Sequence, residues 1–194
     1  MGKRGTFSRQ PPGSVRIIAG EWRSRRLKIP PGALVRPTPD RVRETVFNWL
    51  RDVIDGARCL DLFAGTGAFG FEALSRGAAE AWLVEREPTL AAALEAHAAA
   101  LGAKGAKVLR QDARTLLRGA PPRRFDVVFC DPLFDEPLDD VLLALPPWLA
   151  PHALVYAERP RREGLPALPG FEWRKRARAG DVEYGLAAAV EGEA

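Results

Sequence analysis

A glycine spacing set between a strand and a helix constrains the fold most. Residues 59–63 are an apolar, β-rich run, and Gly65, Gly67 and Gly70 follow as G-x-G-x-x-G. Residues 67–76 then read as a helix. Glycines at this spacing allow a tight turn and a close approach of backbone to a ligand. The alternation continues down the chain. Residues 80–84 read as a strand ending at Glu85, and 89–101 as an Ala- and Leu-rich helix stopped by Gly102. Residues 108–110, 125–130 and 154–157 read as strands, with helices at 113–117 and 138–145. Residues 171–176 and 183–190 are final strands, joined by a turn at Ala179-Gly180-Asp181. This order predicts an α/β fold, a mostly parallel sheet with helices on both faces and an antiparallel C-terminal edge hairpin.

Three regions are expected. Residues 1–14 form a flexible basic tail, 15–36 a basic β-hairpin and linker, and 37–194 the main domain. The hairpin strands are placed at 15–18 and 22–29, around a turn at Ala19-Gly20-Glu21. Both faces of the second strand carry basic residues, so the hairpin is expected to be a surface ribbon outside the core. A helix then starts with Thr38 as its N-cap, Pro39 in the first position and Asp40 in the first turn. Val42, Val46, Trp49, Leu50 and Val53 make its buried stripe, and Arg41, Glu44 and Asn48 a polar face.

Charge is uneven. Residues 1–55 hold twelve Lys and Arg against five Asp and Glu, whereas 56–194 hold seventeen against twenty. A basic front end on a mildly acidic body suits a polyanionic partner. No run approaches the roughly 18 apolar residues of a membrane span. No leader-like apolar segment opens the sequence, so a cytoplasmic location without a membrane role is expected. Cys59 and Cys130 fit neither a disulfide framework nor a zinc pattern and are expected to be buried. His97 and His152 are isolated, so no metal is expected. Nothing in the pattern demands a dimer, and a monomer is the default.

The candidate chemistry lies at four strand ends. In open α/β sheets, ligands bind beyond the carboxyl ends of the strands. Those ends carry Asp61, Glu85, Asp112 and Asp131. Glu85 suits ribose hydroxyls, which both a dinucleotide and S-adenosyl-L-methionine would offer. Asp61 just before the loop favours the second, which carries an ammonium and a sulfonium and no pyrophosphate. Asp112, followed by Ala113, is placed to meet an adenine amine. The fourth strand ends in Asp131-Pro132-Leu133-Phe134. An exocyclic base amine is a poor nucleophile, because its lone pair is delocalised into the ring. Hydrogen bonds from its N–H groups to the Asp131 carboxylate and the Pro132 carbonyl would favour a pyramidal nitrogen. Phe134 would stack on the base.

Three segments resemble the RsmD family of bacterial methyltransferases. They are 16–20 (RIIAG), 36–48 (RPTPDRVRETVFN) and 61–67 (DLFAGTG), with 72–78 (EALSRGA) behind the last. The resemblance runs from about residue 16 to 190, and 36–48 is its most specific part. It implies a Rossmann-like class I methyltransferase fold with a seven-stranded sheet. It implies methylation of guanine N2 in small-subunit (16S) ribosomal RNA, with S-adenosyl-L-methionine as cofactor and a ribosomal subunit or its assembly intermediate as partner. Thr38, Arg41 and Phe47 are implied to sit near the methionine end of the cofactor, with Phe63, Gly65 and Gly67 in the motif loop. The family pattern has a second proline where this chain has Leu133.

Other readings stay open at this point: methylation of adenine N6 in DNA or RNA, an NAD-dependent oxidoreductase, or a non-catalytic RNA-binding assembly factor. Arg16, Arg23, Arg25, Arg26 and Lys28 are the candidate phosphate contacts. Replacing Arg23, Arg25 and Arg26 together is expected to weaken RNA binding and flatten its salt dependence, which a salt titration of binding measures.

Overall fold

The computed structural model describes residues 13–133, 136–167 and 170–190. The tail expected at 1–14 falls almost wholly outside them. Among the described residues, β1 (Ser14–Arg16) and β2 (Arg26–Lys28) form an antiparallel ribbon, with Val15 opposite Leu27. Helix α1 is Asp40–Trp49. There follow β3 (Arg58–Asp61), α2 (Ala68–Ser75), β4 (Glu80–Val84), α3 (Pro88–Leu101), β5 (Ala106–Leu109), α4 (Ala113–Leu117), β6 (Phe125–Cys130) and α5 (Asp139–Ala144). A 3-10 turn leads into β7 (Leu149–Pro160), and β8 (Phe171–Ala179) and β9 (Val182–Ala189) close the fold. The seven-stranded order is β5-β4-β3-β6-β7-β9-β8. The first five strands are parallel, and β9 and β8 are antiparallel to their neighbours.

Strand residues alternate between two cores, as the pleat requires. Cys59, Leu83 and Phe129 pack with α1, α2 and α3 on one face. Leu60, Val84 and Val128 pack with α4 and α5 on the other. Both cysteines are buried and free.

The structure corrects five local expectations. The ribbon is not held outside the core, because Ile17 and Leu27 are 0% and 1% exposed and share a core with α1 and α2. Its second strand starts at Arg26, since Glu21 to Ser24 form the turn. Thr38 does not cap α1; Pro39 holds that place with no side-chain cap, and the Thr38 hydroxyl is engaged elsewhere. Val53 is exposed, while Arg43 and Phe47 are fully buried beside Val42 and Val46. Strand β7 is longer than its central run predicts. Pairing with β6 on one side and β9 on the other carries it through weak strand formers.

Side chains of α2 fasten the ribbon. Glu72, buried, accepts from the backbone N–H groups of Ile18 and Ala19 at 2.7 and 3.1 Å. Ser75 Oγ donates to the Ala19 carbonyl at 2.6 Å and accepts from Trp22 N–H at 2.9 Å. Arg43 donates to the Arg16 carbonyl at 2.8 Å and pairs with Asp40 at 2.7 Å and Glu72 at 3.6 Å. Gly20 is required here: a Cβ at its φ of 83° would lie 1.7 Å from the Ser75 carbonyl oxygen.

Gly20→Ala is therefore expected to cost about 2 kcal/mol or more through overpacking, a fall in Tm of roughly 4 °C or more for a domain of this size. Gly13→Ala, with open space around its Cβ, should leave Tm unchanged. Thermal melts of the two variants check this.

Candidate active site

The loops after β3, β4, β5 and β6 surround a cavity of about 420 Å3. Residues 62–66, 84–87, 111–113 and 131–133 line it from the sheet, and residues 31–38 line its other side. The volume lies within the range of roughly 300–1,000 Å3 usual for small-molecule sites.

The glycine loop is held by carboxylates. Asp61, 2% exposed, lies beneath it and accepts from Gly70 N–H at 3.1 Å. Glu85 accepts from Gly65 N–H at 2.9 Å and from Glu87 N–H at 2.8 Å. Gly67, at φ 79°, turns the chain into α2, and a Cβ there would strike Phe71 and Leu94. Asp112 caps α4 by accepting from Thr115 N–H at 3.0 Å. Burial raises the Asp61 carboxyl to about 7; the Gly70 bond opposes this and the Glu85 charge adds to it.

Asp131 follows β6 and is gripped from across the cavity. Thr38 Oγ1 donates to Asp131 Oδ2 at 2.5 Å. Arg36 pairs with Glu158, which is buried at the end of β7 and accepts from the Tyr156 hydroxyl at 3.1 Å. Pro37 and Pro39 keep this segment extended, with Pro39 at φ −56° and ψ 145°. In extended chain, residues i and i+2 project to one side. Arg36 and Thr38 thus reach the ends of β7 and β6 together. Burial first and the Glu158 charge second raise the Asp131 carboxyl, while the Thr38 bond and the Arg36 charge restrain that rise.

The cavity gathers Thr38, Phe63, Gly65, Glu85, Asp112, Ala113, Asp131 and Pro132. It does not gather four residues expected to touch the cofactor. Asp61 and Gly67 sit one layer behind the wall, where they shape the loop. Arg41 is exposed on α1. Phe47 is buried against Phe69 and Phe129, at ring distances of 6.2 and 5.8 Å. Both follow the helix start at Asp40, and its rotation turns them toward solvent and core respectively. Phe134 lies outside the described residues. Arg16, Arg23, Arg25, Arg26 and Lys28 are exposed on the ribbon, with Arg16 paired to Asp40 at 2.9 Å.

A family model described as "Conserved hypothetical protein 95" matches residues 15–188. Ribosomal RNA small subunit methyltransferase D of Escherichia coli K12 is 43% identical over 180 residues, covering 90% of this chain and 89% of that protein. The chain belongs to the RsmD family. The solved structure of Escherichia coli yhhF superposes on this RsmD-family chain with TM-score 0.85 at 41% identity, covering 91% of this chain and 98% of that one. An RNA methyltransferase from Salinibacter ruber, solved with S-adenosyl-L-homocysteine, shares the fold at TM-score 0.61 and 17% identity, covering 82% of this chain and 97% of that one.

The sequence missed one side of this RsmD-family cavity wall. Residues 30–37 read as a plain linker, yet 31–37 line the cavity. The signal was Arg36-Pro37-Thr38-Pro39, whose two prolines fix an extended conformation ahead of a helix. Glu158 sat in no motif. Glu136, a further lining residue, pairs with Arg86 at 2.6 Å and Arg114 at 3.3 Å.

An acid with a raised pKa holds its proton more tightly folded than unfolded. Its contribution to stability is complete below the unfolded value near 3.8 and is lost as pH climbs through about 7 for Asp61. Asp61→Asn is expected to make the decline of Tm between pH 4 and 7 shallower, as melts across that window measure.

Proposed function

We propose that this chain methylates the exocyclic N2 amine of a guanine in small-subunit ribosomal RNA, with S-adenosyl-L-methionine as methyl donor. The observation that carries the proposal is Asp131, fixed by Thr38 at the wall of an acid-rich cavity at the strand ends. The RNA substrate is supported by the Escherichia coli relative's name and the exposed basic ribbon.

The residues present fit the cofactor. Glu85 and Asp112 line the cavity and Asp61 lies beneath its loop, so the field there favours a cation and opposes a pyrophosphate. Burial raises the Asp61 carboxyl to about 7, as is common for acids at functional sites. Gly65 and Phe63 would hold the body of the cofactor, Glu85 its ribose, and Asp112 and Ala113 its adenine. When bound, the cofactor would supply an electrophilic methyl group, its sulfonium leaving as the neutral thioether of S-adenosyl-L-homocysteine.

The remaining work falls to the end of β6. The Asp131 carboxylate and the Pro132 carbonyl accept from the amine N–H groups, drawing the nitrogen lone pair out of conjugation. As the N–C bond forms, the nitrogen loses a proton, and burial gives Asp131 the raised proton affinity suited to take it. Thr38 keeps that carboxylate oriented. Leu133 stands where the family pattern has proline, and its carbonyl accepts from Glu136 N–H at 2.9 Å. Phe134 is the aromatic proposed to stack on the base. The base must leave its stack to reach this depth, so a loop nucleotide is the natural target.

Transfer of labelled methyl to small ribosomal subunits lacking the modification tests this. Label is expected in N2-methylguanosine. Asp131→Ala should lower turnover by about 100-fold or more, with S-adenosyl-L-homocysteine binding retained. Label in another nucleoside, or an unimpaired Asp131→Ala enzyme, would overturn the proposal.

A further inference from the structure

The strand register sets a second basic surface beside the cavity. Strand β6 ends at Cys130, opposite Ala157 of β7. β7 continues through Glu158, Arg159 and Pro160, paired with Tyr184, Glu183 and Val182 of β9. Those residues pair in turn with Ala177, Arg178 and Ala179 of β8. At about 3.3 Å per residue, this three-stranded tongue rises roughly 10 Å past the end of β6. It does so on the side where Asp131 follows β6.

The tongue is cationic. Arg161 and Arg162 occupy the turn after β7, and Arg178 lies near the β8–β9 tip; all three are exposed. Residues 158–184 hold seven Lys and Arg against five Asp and Glu, whereas the rest of 56–194 holds ten against fifteen; Glu158 is already engaged by Arg36, and Glu183 lies 3.6 Å from Arg178. Cations along an edge strand discourage pairing with other chains. That accounts for Arg174 and Lys175 on β8. It does not account for Arg161 and Arg162, which lie in a turn.

Residues 36–40 set this surface against the ribbon. Arg36 pairs with Glu158 at the base of the tongue, and Asp40 pairs with Arg16 of β1. Thr38, midway between, bonds Asp131. From Arg36 to Asp40 the chain spans at most about 14 Å. The reacting carboxylate therefore stands between two basic surfaces.

We infer that Arg161, Arg162 and Arg178 form a second RNA-phosphate surface, holding the strand on the side of the target nucleotide opposite the ribbon. This rests on the RNA substrate proposed above. The ribbon alone would fix one flank of an unstacked nucleotide. Phosphate contacts on both flanks hold the strand across the cavity mouth and set its register.

The test uses the full chain with Arg161, Arg162 and Arg178 all replaced by alanine. Binding to small ribosomal subunits is followed across a salt titration, alongside methyl transfer. Each lost phosphate contact on a single strand lowers the salt slope by about 0.7. The slope is expected to become shallower by roughly 1.5–2, with KM for subunits raised and S-adenosyl-L-homocysteine binding and Tm unchanged. A control triple, Arg51→Ala with Lys104→Ala and Arg118→Ala, removes equal charge from connections that enter the opposite, amino-terminal ends of the strands. An unchanged slope in the tongue variant, or an equal change in the control, overturns the inference. Methyl transfer by the unsubstituted chain tests the proposed function separately: an active enzyme whose tongue variant keeps its slope loses only the tongue.

Discussion

The site depends on an extended segment pinned by its own side chains. Pro37 and Pro39 remove two backbone donors and most of the local freedom, so Arg36 and Thr38 project together. One meets Glu158 and the other Asp131. The next residue, Asp40, begins α1 and is shared by Arg16 and Arg43. A stretch of five residues thereby joins the sheet's strand ends, the first helix and the ribbon. The geometry around Asp131 is thus set as much by chain outside the sheet as by β6 itself.

Charge in and behind the cavity wall follows a consistent design. Asp61 and Asp131 are carboxyls whose burial raises their proton affinity, and Glu158 lies buried behind the second of them. Two arginines line this region, each held on an acid: Arg36 on Glu158, and Arg86 on Glu136. An acid-rich cavity whose arginines are already paired favours a positively charged small molecule inside.

Much of this was legible in the sequence, for physical reasons. Strand β6 and helix α4 could be read to the residue, because apolar continuity is a local signal. The glycine loop and Glu85 were equally plain, since the turn admits few alternatives. Local signals failed where tertiary contacts decide. Nothing near Arg43 tells that Asp40 and Glu72 will bury it with the helix's apolar stripe. Phe47 shares a motif with Thr38, yet helical rotation takes it into the core. The ribbon's charges hid the two apolar side chains, Ile17 and Leu27, that anchor it. The basic tongue was masked by averaging its charge over an acidic body.

The ribbon's fastening also orders events during synthesis. Ile18 and Ala19 find their partner in Glu72, 54 and 53 positions later in the chain. A growing polypeptide therefore exposes Ile17 and Leu27 well before the helix that covers them has been made. The ribbon thus waits for α2 before it can dock, and Thr38 waits longer still, for Asp131 at the end of β6. The site is accordingly closed by a contact between segments 93 positions apart, and neither can be ordered by its sequence neighbours alone.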